Sequence, residues 1–134
     1  MLQNIHHIAI ICSDYPSSKK FYTQFLGLQI INETYREERK SYKLDLSLNG
    51  TYIIELFSFP NPPKRTSRPE SCGLRHLAFD VEDLNSIVVH YKKNTITIEP
   101  IRVDKLTNKK FTFIADPHDL PIEFYQQQFC PLNT

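Results

Sequence analysis

Four residues carry the chemistry this sequence offers, and their spacing singles them out. His7 and His76 lie sixty-nine positions apart, and Glu55 and Glu123 sixty-eight. Glu55 follows His7 by forty-eight residues, and Glu123 follows His76 by forty-seven. Each glutamate sits inside an apolar run, between Ile54 and Leu56 or between Ile122 and Phe124. An ionised carboxylate there is costly unless something pairs with it. Two imidazoles and two carboxylates compensate one another around a divalent metal. Nitrogen and oxygen donors of this kind suit zinc or nickel, and also cobalt, manganese or iron(II). Four protein ligands with open water positions complete an octahedron. Taken alone, a strand histidine is usually a hydrogen-bonded residue and a strand glutamate usually faces solvent. A structural repeat preserves apolar positions without preserving both polar ones. The recurrence therefore reads His7, Glu55, His76 and Glu123 as metal ligands.

The elements that must position them can be read along the chain. Ile5 to Cys12 is a short apolar run of the kind that forms a buried strand. Neighbours on a strand point to opposite faces, so with His7 inward, His6 is expected to face away, in packing or a surface hydrogen bond. Asp14, followed by Pro16 and two serines, starts a helix over Tyr15 to Leu26, and Gly27 ends it. Leu28 to Tyr35 reads as a strand. Tyr42, Leu44, Leu46 and Leu48 alternate with polar residues, Asn49-Gly50 turns the chain as a tight hairpin, and Tyr52 to Phe59 returns.

Phe59 to Gly73 then breaks the pattern, with four prolines and the basic residues Lys64, Arg65 and Arg68. It reads as a linker or long exposed loop whose cations are solvated, with a role in holding an anionic ligand as the second reading. After it the sequence restarts. Leu74 to Val81 is a strand, Asp83 stands sixty-nine positions after Asp14, and Tyr91 matches Tyr22 at the same offset. A helix is expected through Leu84, Ile87, Val88 and Tyr91, with strands over Ile96 to Val103, Lys110 to Ala115 and Leu120 to Gln126. His90 is expected to face solvent, and His118 to be a turn residue with unusual dihedrals. Each half is strand-helix-strand-strand-strand, so the chain is an internal duplication: one α+β domain over residues 1–134, with modules at about 4–59 and 73–127 and a linker at about 60–72.

Length and composition bound the answer. A chain of 134 residues has the length of one domain. A net charge of +1 gives no support to a nucleic-acid surface. No apolar run approaches membrane-spanning length and no signal segment is seen, so a cytoplasmic protein without a membrane partner is expected. Cys12, Cys72 and Cys130 show no ligand spacing and are read as reduced thiols.

The module starts, H-I-A-I-I at His7 and H-L-A-F-D at His76, resemble those of the vicinal oxygen chelate superfamily. So do the closing segments I-I-E-L-F around Glu55 and D-P-H-D-L-P-I-E-F-Y running past Glu123. The resemblance extends from Ile5 to Gln126 and is greatest to small bacterial glyoxalase I-like proteins. It implies the glyoxalase/bleomycin resistance/dihydroxybiphenyl dioxygenase fold of paired βαβββ modules, a homodimer, and a metal held by His7, Glu55, His76 and Glu123. Two histidines with two carboxylates resemble glyoxalase I (lactoylglutathione lyase) most closely and the epimerases next. Extradiol dioxygenases and fosfomycin thiol transferases typically use two histidines and one glutamate, and bleomycin-binding members lack the ligands. The implied activity is proton transfer beside a metal-bound carbonyl through an enediolate, with Glu123 as base ahead of Glu55. The implied substrate is a small carbonyl compound or thiol adduct such as a glutathione hemithioacetal. The different reading is a non-catalytic module that sequesters a small molecule. Glyoxalase I proteins usually carry an arginine for glutathione at the position of Ile11; here Arg39, Lys64, Arg65, Arg68 or Arg102 would have to replace it from loops.

Overall fold

The computed structural model describes residues 1–127, so Cys130 lies outside the described residues. The chain divides into two compact units between Lys64 and Arg65.

In the first module, β1 (Ile8–Cys12) leads to α1 (Tyr15–Lys20), which runs on as a π-helical turn over Phe21–Phe25. Asp14 caps this helix by accepting from the Ser17 amide at 3.2 Å and its hydroxyl at 2.8 Å. Gly27, at φ +78°, provides the left-handed exit. Three antiparallel strands follow: β2 (Gln29–Arg36), β3 (Ser41–Leu48) and β4 (Thr51–Ser58). A 3₁₀ turn over Glu37–Arg39 joins the first pair. Asn49 and Gly50 join the second, both at positive φ, as a two-residue hairpin with the twist of its strands requires. The sheet order is β1-β4-β3-β2, with β1 parallel to β4.

Alternation sorts the strand residues by face. Ile10, Cys12, Leu44, Leu46, Ile54 and Leu56 are buried, as are Phe21 and Tyr22 of the helical segment. On the other face, Ala9 lies opposite Glu55 and Glu55 opposite Asp45, while Phe57 stands between Ile11 and Lys43. The side that supplies no core is the polar one.

The second module repeats the order: β5 (Leu77–Val81), α2 (Leu84–Lys93), β6 (Arg102–Val103), β7 (Lys110–Ala115) and β8 (Pro121–Gln126), in the sheet order β5-β8-β7-β6. Asp83 caps α2 through the amides of Asn85 and Ser86 at 3.0 and 3.3 Å. Leu84, Tyr91, Ile114, Ile122 and Phe124 form the core, and Tyr91 stacks on Phe124 with ring centroids 5.3 Å apart. The two tandem βαβββ modules are the fold expected from the repeat.

Details differ from the sequence expectations. The strand expected over Ile96 to Val103 shrinks to Arg102–Val103. Pro100 has no amide to give a ladder, and Glu99 makes the local contacts instead, donating its N–H to the Phe113 carbonyl and accepting from Thr112 Oγ1. Both opening strands start later than expected, at Ile8 and Leu77, so His7 and His76 stand immediately before them. In the Asp116–Leu120 turn the left-handed residue is Asp119, at φ +68°, rather than His118. Asp116 Oδ1 accepts from the amides of His118 and Leu120 and closes that turn. His90 is exposed, as expected.

Candidate metal centre

In each module the last strand lies parallel to the first, and an alanine stands beside the glutamate: Ala9 opposite Glu55, Ala78 opposite Glu123. A methyl group there leaves room over the strand pair. The histidine just ahead of each first strand turns its ring toward that space. His7 Nε2 is 3.7 Å from Glu55 Oε2, and His76 Nε2 is 2.9 Å from Glu123 Oε2. Both carboxylates are largely shielded, with side-chain exposures of 15% and 12%. The structure thus joins His7 to Glu55 within the first module and His76 to Glu123 within the second. Within neither module, among the described residues, do three or more histidine, cysteine or acidic side chains converge as a metal cluster.

The donor sets fit a divalent ion. Ligands bound at about 2.0–2.2 Å in neighbouring coordination positions lie about 3–3.5 Å apart. The two N···O separations bracket that range. The donors are imidazole nitrogen and carboxylate oxygen, the mixture suited to first-row metals.

The surroundings of the two glutamates differ. Glu55 accepts from Tyr52 Oη at 3.1 Å and lies 3.4 Å from Lys43 Nζ. Asp45 ties the group together, accepting from Lys43 at 2.9 Å and from Tyr52 at 2.9 Å. Burial, reinforced by these two carboxylates, pushes the Tyr52 phenol well above its ordinary range, so it remains a donor. The bond to Asp45 raises the Lys43 ammonium, which stays charged. Around Glu123, among the described residues, there is no such polar group. Phe113 occupies the place across the ladder that Asp45 holds beside Glu55. Its ring meets the His76 ring edge-on at 5.3 Å. Among the described residues, His76 is the side-chain partner of Glu123.

His6 departs from its expected place. It does not face away from His7: the two Nδ1 atoms are 2.8 Å apart, and both rings rest against Tyr52, with centroids 5.2 and 5.4 Å from it. Strand alternation does not apply because β1 begins only at Ile8. A His7 that offers its Nε2 lone pair to a metal carries its proton on Nδ1, and His6 Nδ1 is then the acceptor that fixes this tautomer.

Sequence reasoning missed His6, Lys43, Asp45 and Tyr52 as parts of the site. The available signal was Lys43 and Asp45, opposite charges two apart on a strand whose other face is leucine. Ile11 is apolar and 56% exposed, so no cation stands at that place.

The sequence model described as the glyoxalase/bleomycin resistance protein/dioxygenase superfamily matches residues 4–124. The uncharacterized protein YwkD of Bacillus subtilis (strain 168) is 63% identical over 95% of this chain and 99% of its own length. The uncharacterized protein YaeR of Escherichia coli (strain K12) is 56% identical over 94% and 98%. A glyoxalase family protein from Enterococcus faecalis, whose crystal structure is known, superimposes with a TM-score of 0.85 at 42% identity, covering 92% of this chain and 97% of that one. Two more distant structures share the fold alone. One is the trypanothione-dependent glyoxalase I of Leishmania major, with 23% identity, a TM-score of 0.70 and coverage of 93% and 87%. The other is a FosX fosfomycin resistance protein from Listeria monocytogenes in complex with Mn(II), with 15% identity, a TM-score of 0.73 and coverage of 96% and 96%. With a family match over nearly its full length and two βαβββ modules in its fold, the chain belongs to the glyoxalase/bleomycin resistance protein/dioxygenase superfamily.

Proposed function

We propose that the protein is a metal-dependent lyase or isomerase of the glyoxalase I type, with His7, Glu55, His76 and Glu123 as ligands and a small carbonyl compound or thiol adduct as substrate. The observation that carries this reading is the pairing repeated in both modules: an imidazole Nε2 next to a shielded carboxylate, beside an alanine, at the junction of first and last strand. Bound there, a divalent ion supplies Lewis-acid polarisation of a substrate carbonyl.

The residues divide the remaining work. Glu55 is held from two sides by Tyr52 and Lys43, which suits a carboxylate that keeps one position. Among the described residues Glu123 has no second polar anchor, and the apolar Phe113 stands beside it. Glu123 is therefore the base in this reading: it takes the proton from a carbon beside the carbonyl and returns it to the neighbouring carbon. Two ligands per module require two modules for a full set, from one chain or from two copies. The homodimer belongs to the same proposal.

Protein stripped of metal and reconstituted with nickel, cobalt or zinc is expected to take up stoichiometric ion, and Glu55→Ala or Glu123→Ala to weaken uptake at least tenfold. The reconstituted protein is then assayed with the methylglyoxal–glutathione hemithioacetal. Turnover supports the narrow reading, whereas metal uptake without turnover restricts it to another carbonyl substrate. No uptake by the unaltered protein sinks it in favour of a sequestering module. Light scattering with and without metal reads the oligomeric state.

A further inference from the structure

The second module contains a cavity of about 310 Å³ in which His76 and Phe113 share the lining with four arginines, Arg65, Arg68, Arg75 and Arg102. Three of these come from the proline-rich stretch and the residues that follow it, and the fourth from β6. Arg65 is consumed in building the wall. Its Nε donates to Ser67 Oγ at 2.8 Å, and its terminal nitrogen donates to the carbonyls of Leu74 and Arg75 at 2.6 and 3.0 Å. Ser67 is buried and donates in turn to the Asp119 carbonyl at 2.7 Å. The stretch expected to be a solvated linker is, from Arg65 onward, a fixed side of this cavity.

Among the described residues, the other three guanidinium groups keep most of their donors free. A guanidinium carries five N–H groups in a planar fork. Arg102 gives one hydrogen bond, to Glu99 at 2.8 Å, and Arg75 gives one, to Glu70 at 3.3 Å. Arg68 approaches Glu99 at 3.8 Å, an ion contact beyond hydrogen-bond length. Their side chains are 55%, 71% and 80% exposed. Arg102 also lies against two aromatic rings, its guanidinium carbon 5.1 and 5.6 Å from the Phe111 and Phe113 ring centres. Cation–π contacts of this kind help to order the side chain in advance. Glu70, Glu99 and Asp119, which also line the cavity, do not use up these donors.

We propose that this cavity is an oxyanion subsite, in which Arg68, Arg75 and Arg102 take a carboxylate or phosphoryl group of the substrate while the reacting carbon lies toward His76. The proposal rests on the reading that His76 and Glu123 belong to the reacting site, and it adds that the substrate is an anion. Planar forks match both groups through paired, charge-assisted hydrogen bonds.

The test is calorimetric titration of the full chain with inorganic phosphate and, separately, malonate, at constant ionic strength set with chloride. Binding of either probe, weakened at least tenfold in an Arg68→Ala/Arg102→Ala double variant and partly restored in Arg102→Lys, supports the subsite. Phosphate alone indicates a phosphoryl ligand, and malonate alone a carboxylate. No binding of either probe, or equal binding by a double variant with an unchanged circular dichroism spectrum, overturns it. Metal uptake is measured on the same samples. Intact uptake without anion binding removes only the subsite, and anion binding without metal uptake removes only the metal reading.

Discussion

At the scale of single residues, the two halves of the candidate centre are alike in their ligands and unlike in what surrounds them. Glu55 sits among Tyr52, Lys43 and Asp45, whereas Glu123 sits against Phe113 with His76 as its partner. Groups that orient a ligand through a hydrogen bond typically alter metal affinity by about 10–100-fold when removed. His6→Ala and Tyr52→Phe are accordingly expected to weaken metal binding by about that factor while leaving the fold intact. Chelator competition reads the affinity. Wild-type affinity in both variants would show that neither residue orients its neighbour.

At the scale of elements, the sheets hold Glu55 and Glu123 on one face because their opposite faces are committed to cores. Leu56, in the central strand β4 of the first sheet, is fully buried, and β1 and β3 lie on either side of it. Truncating such a residue removes its transfer free energy and leaves a cavity, so Leu56→Ala is expected to cost about 2–5 kcal/mol in chemical denaturation. Ile11→Ala, at an exposed position of the polar face, should fall within about 0.5 kcal/mol. The helix caps add a pH dependence. The Ser86 hydroxyl and amide, then the Asn85 amide, hold the Asp83 carboxyl below its ordinary value of 3.8. A carboxyl depressed in the folded state stabilises fully above the unfolded value and loses that contribution as pH falls through the folded one. The melting-temperature advantage of wild type over Asp83→Asn should therefore hold at neutral pH and shrink below 3.8. A difference that does not change with pH would contradict the cap's charge.

At the scale of the whole molecule, an ion held by the proposed ligands would bind the folded chain and not the unfolded one. Ligation of that kind stabilises by mass action, about 2.7 kcal/mol at a free concentration one hundred times the dissociation constant. The melting temperature should rise with added nickel or zinc and fall on chelation, and the double variant Glu55→Ala/Glu123→Ala should show neither response. Among the described residues no helix is long and apolar enough to cross a membrane.

Sequence by itself determined the duplication, the order of elements in each module and the family. These depend on local periodicity, on turn residues such as Asn49-Gly50, and on the recurrence of His and Glu at nearly one offset. The same recurrence singled out the four candidate ligands. Tertiary structure alone decided which other side chains meet them. His6 was assigned to the far side by an alternation that holds only within a strand, and the strand begins at Ile8. Lys43, Asp45 and Tyr52 meet at Glu55 through the β3–β4 ladder, which sets Asp45 beside Tyr52, seven positions on, and Lys43 beside Glu55, twelve positions on. Arg65 and Arg68 looked like solvated charge and Arg75 carried no reading, because the sequence of a loop does not say what its side chains face. Hydrogen bonds from Arg65 and Ser67 fold that loop into a wall, and this long-range register is a property no local pattern encodes.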